Sequence, residues 1–239
     1  MEIFRYQTLS STNSELLDLS KKNAKSWTVV WTSHQTSGKG YAGNVWQSEK
    51  DENLAVSVLV CTKLEYAELV YFNQWVCNVL VGFLRGFSAD VAVKWPNDII
   101  MKNKKICGVL IETHKAGNEL NIIVGIGLNV NQTNFQSLPK AGSLATQLDQ
   151  KFDLEEILSG LLTNLENSYS QIDNKEWEII LAEYNLNLFR KNQLSTFIEN
   201  NQAFDGVILN VDRQGLLWIN KLDSEEIKSY QHKEIELIY

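Results

Sequence analysis

Cysteine and histidine are scarce in this chain of 239 residues, with three of each. Cys61, Cys77 and Cys107 stand far apart, each in an apolar run. None has the close spacing of a zinc site or a redox pair, so buried free thiols are expected. His34, His114 and His232 are equally isolated, which argues against a zinc centre. Positive charge is also short: 22 Lys and Arg face 29 Asp and Glu, a net charge of −7. A general nucleic-acid binder needs the opposite balance. No apolar run is long and unbroken enough to span a bilayer. The start, Met1-Glu-Ile-Phe-Arg-Tyr6, lacks the anatomy of a signal peptide. The cytoplasm is therefore the expected location. Repeats and low-complexity linkers are missing too. What remains is ordinary globular composition, 44% hydrophobic and 21% charged. That is enough for one good core and a small satellite domain.

Ser10-Ser-Thr-Asn-Ser-Glu15 carries capping residues and predicts a helix start running into Leu16, Leu17 and Leu19. Trp27–Thr32 and Leu54–Val60 read as strands. Leu69, Phe72, Val76, Leu80 and Phe83 recur at helical spacing. Val91–Lys94 is a short strand, and Cys107–Thr113 with Leu120–Leu128 predicts a hairpin. Segments 154–172 and 177–189 read as helical. From Gln193 to Tyr239 only short strands are expected, with turns at Asp205-Gly206, Asp212–Gly215 and Asp223-Ser224. Such a stretch predicts a small SH3-like barrel packed on the main domain. The expected division is therefore residues 1–190 and 191–239.

Gly38-Lys-Gly-Tyr-Ala-Gly43 has the G-x-G-x-x-G spacing of a dinucleotide loop. The helix that should follow is missing, because Asn44–Asn53 is polar and has no apolar stripe. The segment is either a plain flexible turn or a loop whose bare amides, with Lys39, approach an anion.

Lys94-Trp-Pro-Asn-Asp98 turns the chain sharply at a strand end. It gathers a lysine, an amide and a carboxylate near Lys105, which opens the next strand. Two cations and a carboxylate suit a carboxylic acid and a nucleotide phosphate held together, with a carboxylate near Mg²⁺. Lys102 and Lys104, at the hairpin tip, are expected to be solvated. Gly108 lets a ligand lie close to its strand. Gly125 and Gly127 mark either a bulged core strand or a bare backbone against which something packs, and Asn129 beside them can both donate and accept.

Taken in order, Ser11-Thr-Asn13, Gln35–Gly40, Lys94–Asp98, Lys105–Gly108 and Gly125–Asn129 resemble the biotin–protein ligases. The resemblance spans most of residues 1–131, and the small β domain at the C-terminus fits the family too. It implies an α+β fold with a mixed central sheet and flanking helices, akin to class II aminoacyl-tRNA synthetases, plus the SH3-like barrel. It implies an ATP-dependent ligase that makes biotinyl-5′-AMP and passes biotin to a lysine of a carrier domain. That acceptor is the biotin carboxyl carrier domain of acetyl-CoA carboxylase or a related carboxylase. ATP and Mg²⁺ are implied; a tightly bound prosthetic group, DNA and membrane are not. The first motif begins at residue 11, so no N-terminal DNA-binding domain is expected. A homodimer through an exposed sheet edge is permitted.

By matching position, the resemblance makes Lys105 the chief catalytic residue, with Asp98 and Lys94. Ser11, Thr12, Asn13, Gln35, Lys39, Gly40, Tyr41, Lys105 and Gly108 would hold biotin. Gly38, Lys39, Trp46, Lys94, Asn97 and Asn129 would hold the nucleotide, and Asp98 the Mg²⁺. The chain departs from the family at Tyr41 and Asn44, where arginines are usual. Lys39 alone keeps a charge in that loop, and Tyr41 is then expected to grip the intermediate in their place. Two other readings compete: a lipoate–protein ligase, for which Ser11, Thr12 and Gln35 lack a purpose, and a biotin-binding sensor that no longer transfers.

Overall fold

The computed structural model describes residues 1–239 except Tyr41, Ala42, Ser137 and Glu225. The chain opens with β1 (Glu2–Tyr6), α1 (Thr12–Lys21) and β2 (Thr28–Thr32). A two-residue ribbon follows, β3 (Gly38–Lys39) with β4 (Val45–Trp46), then β5 (Asn53–Thr62) and α2 (Leu69–Arg85). Next come β6 (Val91–Lys94), β7 (Asp98–Met101), β8 (Lys104–Ala116) and β9 (Glu119–Asn129). The helices α3 (Leu144–Leu148), α4 (Leu154–Ser168), α5 (Ser170–Asp173) and α6 (Trp177–Leu186) complete the first part. The last part holds β10 (Leu194–Glu199), β11 (Gln202–Val211), β12 (Leu217–Lys221), β13 (Glu226–Tyr230) and β14 (Ile235–Ile238).

Seven strands form one mixed sheet in the order β1-β2-β5-β9-β8-β7-β6, parallel only between β1 and β2. Its two faces follow from the two-residue period of strands. In β5, Leu54, Val56, Val58 and Val60 join the main core beneath α2, α4 and α6. The alternate residue Leu59 packs instead with Leu16 of α1, Val30 and Ile123. Ser11 caps α1, its Oγ accepting from Ser14 N at 3.4 Å. The helix covers only part of its face, and the site opens on the remainder.

Several expectations are corrected. Asp205-Gly206 is no turn: it lies inside β11, and the hairpin reverses at Asn200-Asn201, both with positive φ. Asn supplies such angles almost as readily as Gly. The helix expected over 154–172 breaks at Tyr169, and the next ends at Leu186 rather than 189. Lys102 and Lys104 are not simply solvated, since their Nζ atoms donate to Gln147 O at 2.6 Å and Pro139 O at 2.5 Å. Cys77 and Cys107 are buried, whereas Cys61 is only half-buried. The β structure expected at the C-terminus is present, as a five-stranded antiparallel sheet ordered β13-β12-β11-β10-β14.

Candidate active site

One register row runs across five strands. Ala55 pairs with Gly127, Gly127 with Gly108, Gly108 with Asp98, and Asp98 with Lys94. A second row places Ser57 beside Gly125 and Gly125 beside Leu110. The glycines leave the sheet bare where α1 does not cover it. A Cβ on Gly127 would lie 2.4 Å from the Trp46 ring, and one on Gly125 2.3 Å from Asn13 Oδ1. The close approach anticipated for this glycine pair is real, and these two side chains make it.

Above the rows lies a cavity of about 120 Å³. Ser11, Thr12, Asn13 and Gln35 line one end; Asp98 and Lys105 line the other. Lys39, Gly40 and Trp46 of the ribbon border it, with Gly108 and Asn97. Gly38 belongs to the ribbon but not to the lining; a Cβ there would lie 2.4 Å from Trp46 O and 2.7 Å from Gln35 Nε2. Tyr41 lies outside the described residues.

The first end is neutral and dense with hydrogen bonds. Gln35 Oε1 accepts from Thr12 N at 2.8 Å. Ser57 Oγ lies 2.8 Å from Thr12 Oγ1 and 2.6 Å from Asn13 Oδ1. Asn13 Nδ2 donates to Glu112 at 2.7 Å. Asn13 is thus bonded to the protein rather than aimed at a ligand. Sequence reasoning missed Ser57 and Glu112. Ser57 had one signal, a lone hydroxyl in the middle of an apolar strand.

The second end is ionic. Lys105 Nζ meets Asp98 Oδ1 at 2.6 Å, and Lys94 Nζ stands 4.0 Å from Asp98 Oδ2. Lys105 also lies 5.7 Å from the centre of the Trp46 ring, a cation–π distance. Burial lowers the Lys94 pKa, and Asp98 opposes that shift. Lys94 does not line the cavity. It faces a neighbouring groove that runs between the main sheet and β10–β14. Asn97 donates to Val109 O at 2.7 Å, so its amide holds the hairpin. Asn129 does not line the cavity: it is buried, its Nδ2 donating to Gly142 O at 2.9 Å, while its Oδ1 has no hydrogen-bond partner among the described residues.

His232 was also missed. It lines both cavity and groove from the segment between β13 and β14, more than 100 residues beyond the rest of the cavity lining. Burial, then Lys94, lowers its pKa. Its ring meets Trp95 edge-on at 5.9 Å, and Trp95 Nε1 donates to Gly215 O at 3.0 Å. Trp95 therefore ties the Lys94–Asp98 turn to the C-terminal sheet.

Residues 5–129 match the model of the biotin/lipoate A/B protein ligase family. The chain belongs to that family. It is 26% identical over 241 residues to the bifunctional ligase/repressor BirA of Bacillus subtilis, covering 97% of this chain and 73% of that one. It is 25% identical to the biotin–[acetyl-CoA-carboxylase] ligase of Mycobacterium tuberculosis, covering 88% of this chain and 80% of the relative. Among solved structures, the biotin protein ligase of Aquifex aeolicus in complex with biotin and ATP superposes with a TM-score of 0.80 at 22% identity, over 99% of this chain and 98% of that one. The family member described here is thus a ligase with the fold of the biotin protein ligases, its mixed sheet followed by a C-terminal antiparallel sheet.

Proposed function

We propose that this ligase joins biotin to a carrier-protein lysine in two steps. The observation that carries the reading is the pairing, in one cavity, of a neutral cradle at Thr12 and Gln35 with an ionic end at Lys105 and Asp98. Biotin has the same division. Its cyclic urea is polar and uncharged, and its other end is a carboxylate. The names and ligands of the relatives support the same assignment.

In the first step a biotin carboxylate oxygen attacks the α-phosphorus of ATP. The bond to pyrophosphate breaks, and biotinyl-5′-AMP forms. An anion here approaches a polyanion, so fixed cations lower the barrier. Lys105 touches the carboxylate and then the acyl phosphate. Asp98 holds Lys105 in place and restrains its side chain. Lys94 and Lys39 add positive charge on either side of the triphosphate. In the second step the neutral amine of the acceptor lysine attacks the acyl carbon. AMP leaves with the bonding electron pair, and the amine gives up a proton. Trp46 and the ribbon shield the anhydride from water.

Mg²⁺ fits as an ion carried by the triphosphate. Among the described residues no group of three or more His, Cys, Asp or Glu side chains is placed to cage a metal. Asp98 would be its one carboxylate, with phosphate oxygens and water supplying the rest. The acceptor is the biotin carboxyl carrier domain of acetyl-CoA carboxylase or a related carboxylase.

The test is mass spectrometry of such a domain after incubation with the protein, ATP, Mg²⁺ and biotin. One added biotin on the acceptor lysine, absent with Lys105→Ala, is the expected result. ATP–pyrophosphate exchange driven by lipoic acid but not biotin would overturn the choice of acid. Biotin binding and adenylate formation without transfer would instead mark a sensor.

A further inference from the structure

Glu112 takes no part in the steps above, yet it ends a chain of hydrogen bonds that reaches the cavity. Its carboxylate can only accept. The Asn13 side-chain NH₂ gives one proton to Glu112 Oε2 at 2.7 Å and points the other at Leu110 O, 3.4 Å away. Asn13 Oδ1 is thereby turned toward Ser57 Oγ, 2.6 Å away. An amide oxygen cannot donate, so the single Ser57 proton goes to Asn13. Ser57 is then an acceptor toward Thr12. The Thr12 hydroxyl fills that 2.8 Å contact in preference to the 3.2 Å contact with Gln35. Gln35 Oε1 keeps the Thr12 backbone N–H as its donor at 2.8 Å. This leaves a lone pair on Thr12 and the NH₂ of Gln35 for a ligand, and both residues line the cavity.

We infer that Glu112 is a positioning residue which, through Asn13 and Ser57, fixes Thr12 as an acceptor and Gln35 as a donor toward the ligand. The inference rests on the biotin reading above and deepens it. A cyclic urea presents an N–H beside a C=O on one edge. The N–H meets Thr12 and the C=O meets Gln35. An acid whose ring is a plain disulfide offers neither group, so this polarity sets the choice of substrate. A glutamine at 112 keeps the size but can donate, which allows Asn13, Ser57 and Thr12 to reverse in turn.

The experiment is a double-mutant cycle read by calorimetry with biotin and, separately, with ATP. Glu112→Gln weakens biotin binding by about tenfold or more, because a buried polar pair at the ligand is mismatched. ATP affinity stays within about twofold, since the triphosphate end keeps all its groups. Thr12→Val brings a comparable loss. The double variant loses no more than Thr12→Val alone, because Glu112 acts through Thr12. Glu112→Asp, which keeps an acceptor, recovers most of the affinity. Ser57→Ala, a smaller change that cuts the same chain, repeats the non-additivity if Glu112→Gln does not fold. Additive losses, or biotin affinity unchanged in Glu112→Gln, overturn the inference and leave the biotin reading standing. A wild-type protein that binds no biotin overturns the reading itself.

Discussion

At the cradle end, Thr12 and Asn13 are 4% exposed and Ser57 not at all, and the three are bonded to one another and to Gln35 and Glu112. At the ionic end the Lys105 and Asp98 side chains keep 34% and 22% of their surface in solvent. The difference follows from what each group needs. Neutral donors and acceptors can be buried cheaply once paired, and pairing gives them fixed directions. Charges resist burial, so they stay near water and trade precision for field strength. Recognition and chemistry are thus separated along one cavity.

The comparison breaks first at Lys105. Lys105→Ala should cut biotin-dependent ATP–pyrophosphate exchange by roughly 10³-fold, the scale of losing a group that stabilises transition-state charge. Exchange within tenfold of wild type would move the chemistry elsewhere. The two glycine rows sharpen the contrast next. Gly125→Ala drives a methyl into Asn13 Oδ1 and should raise the KM for biotin, by roughly tenfold if one ligand hydrogen bond is lost. Gly127→Ala drives one into Trp46, lowers kcat more than biotin affinity, and costs about 1–3 kcal/mol of stability through overpacking. Equal effects of the two alanines on both parameters would erase the distinction.

A pH profile gives a smaller effect. Burial holds the Lys94 pKa below the ordinary lysine value, so its charge is lost earlier as pH rises. The KM for ATP should therefore climb on the alkaline side. Lys94→Arg, whose charge persists, should flatten that climb. Smallest is Trp95→Phe, which removes the bond to Gly215 and should cost about 1 kcal/mol in thermal unfolding.

Much of the fold was legible, because strands buried on both faces and amphipathic helices carry strong patterns. The exceptions have physical causes. Asp205-Gly206 reads as a turn, yet Gly206 sits in a strand where an added Cβ would meet Ile219 at 2.8 Å. A glycine needed for close packing looks like one needed for a turn. The ionic end was readable in its elements, since Asp98 and Lys105 are neighbours across a hairpin. Lys94 lines the adjoining groove rather than the cavity, and Asn129 donates to Gly142; neither side-chain direction can be read from position along the chain. The cradle was read only at its rim. Ser57 and Glu112 are supplied by strands whose apolar neighbours mask them, and only the packing of α1 on the sheet brings them to Asn13.

Trp95 is held by its ring on the C-terminal sheet, while its backbone neighbours are Lys94 and Pro96. The turn that carries Lys94 and Asp98 is therefore anchored from outside its own sheet, by the loop before β12 and by His232. One aromatic side chain makes the ionic end a shared property of two sheets that lie far apart in the chain.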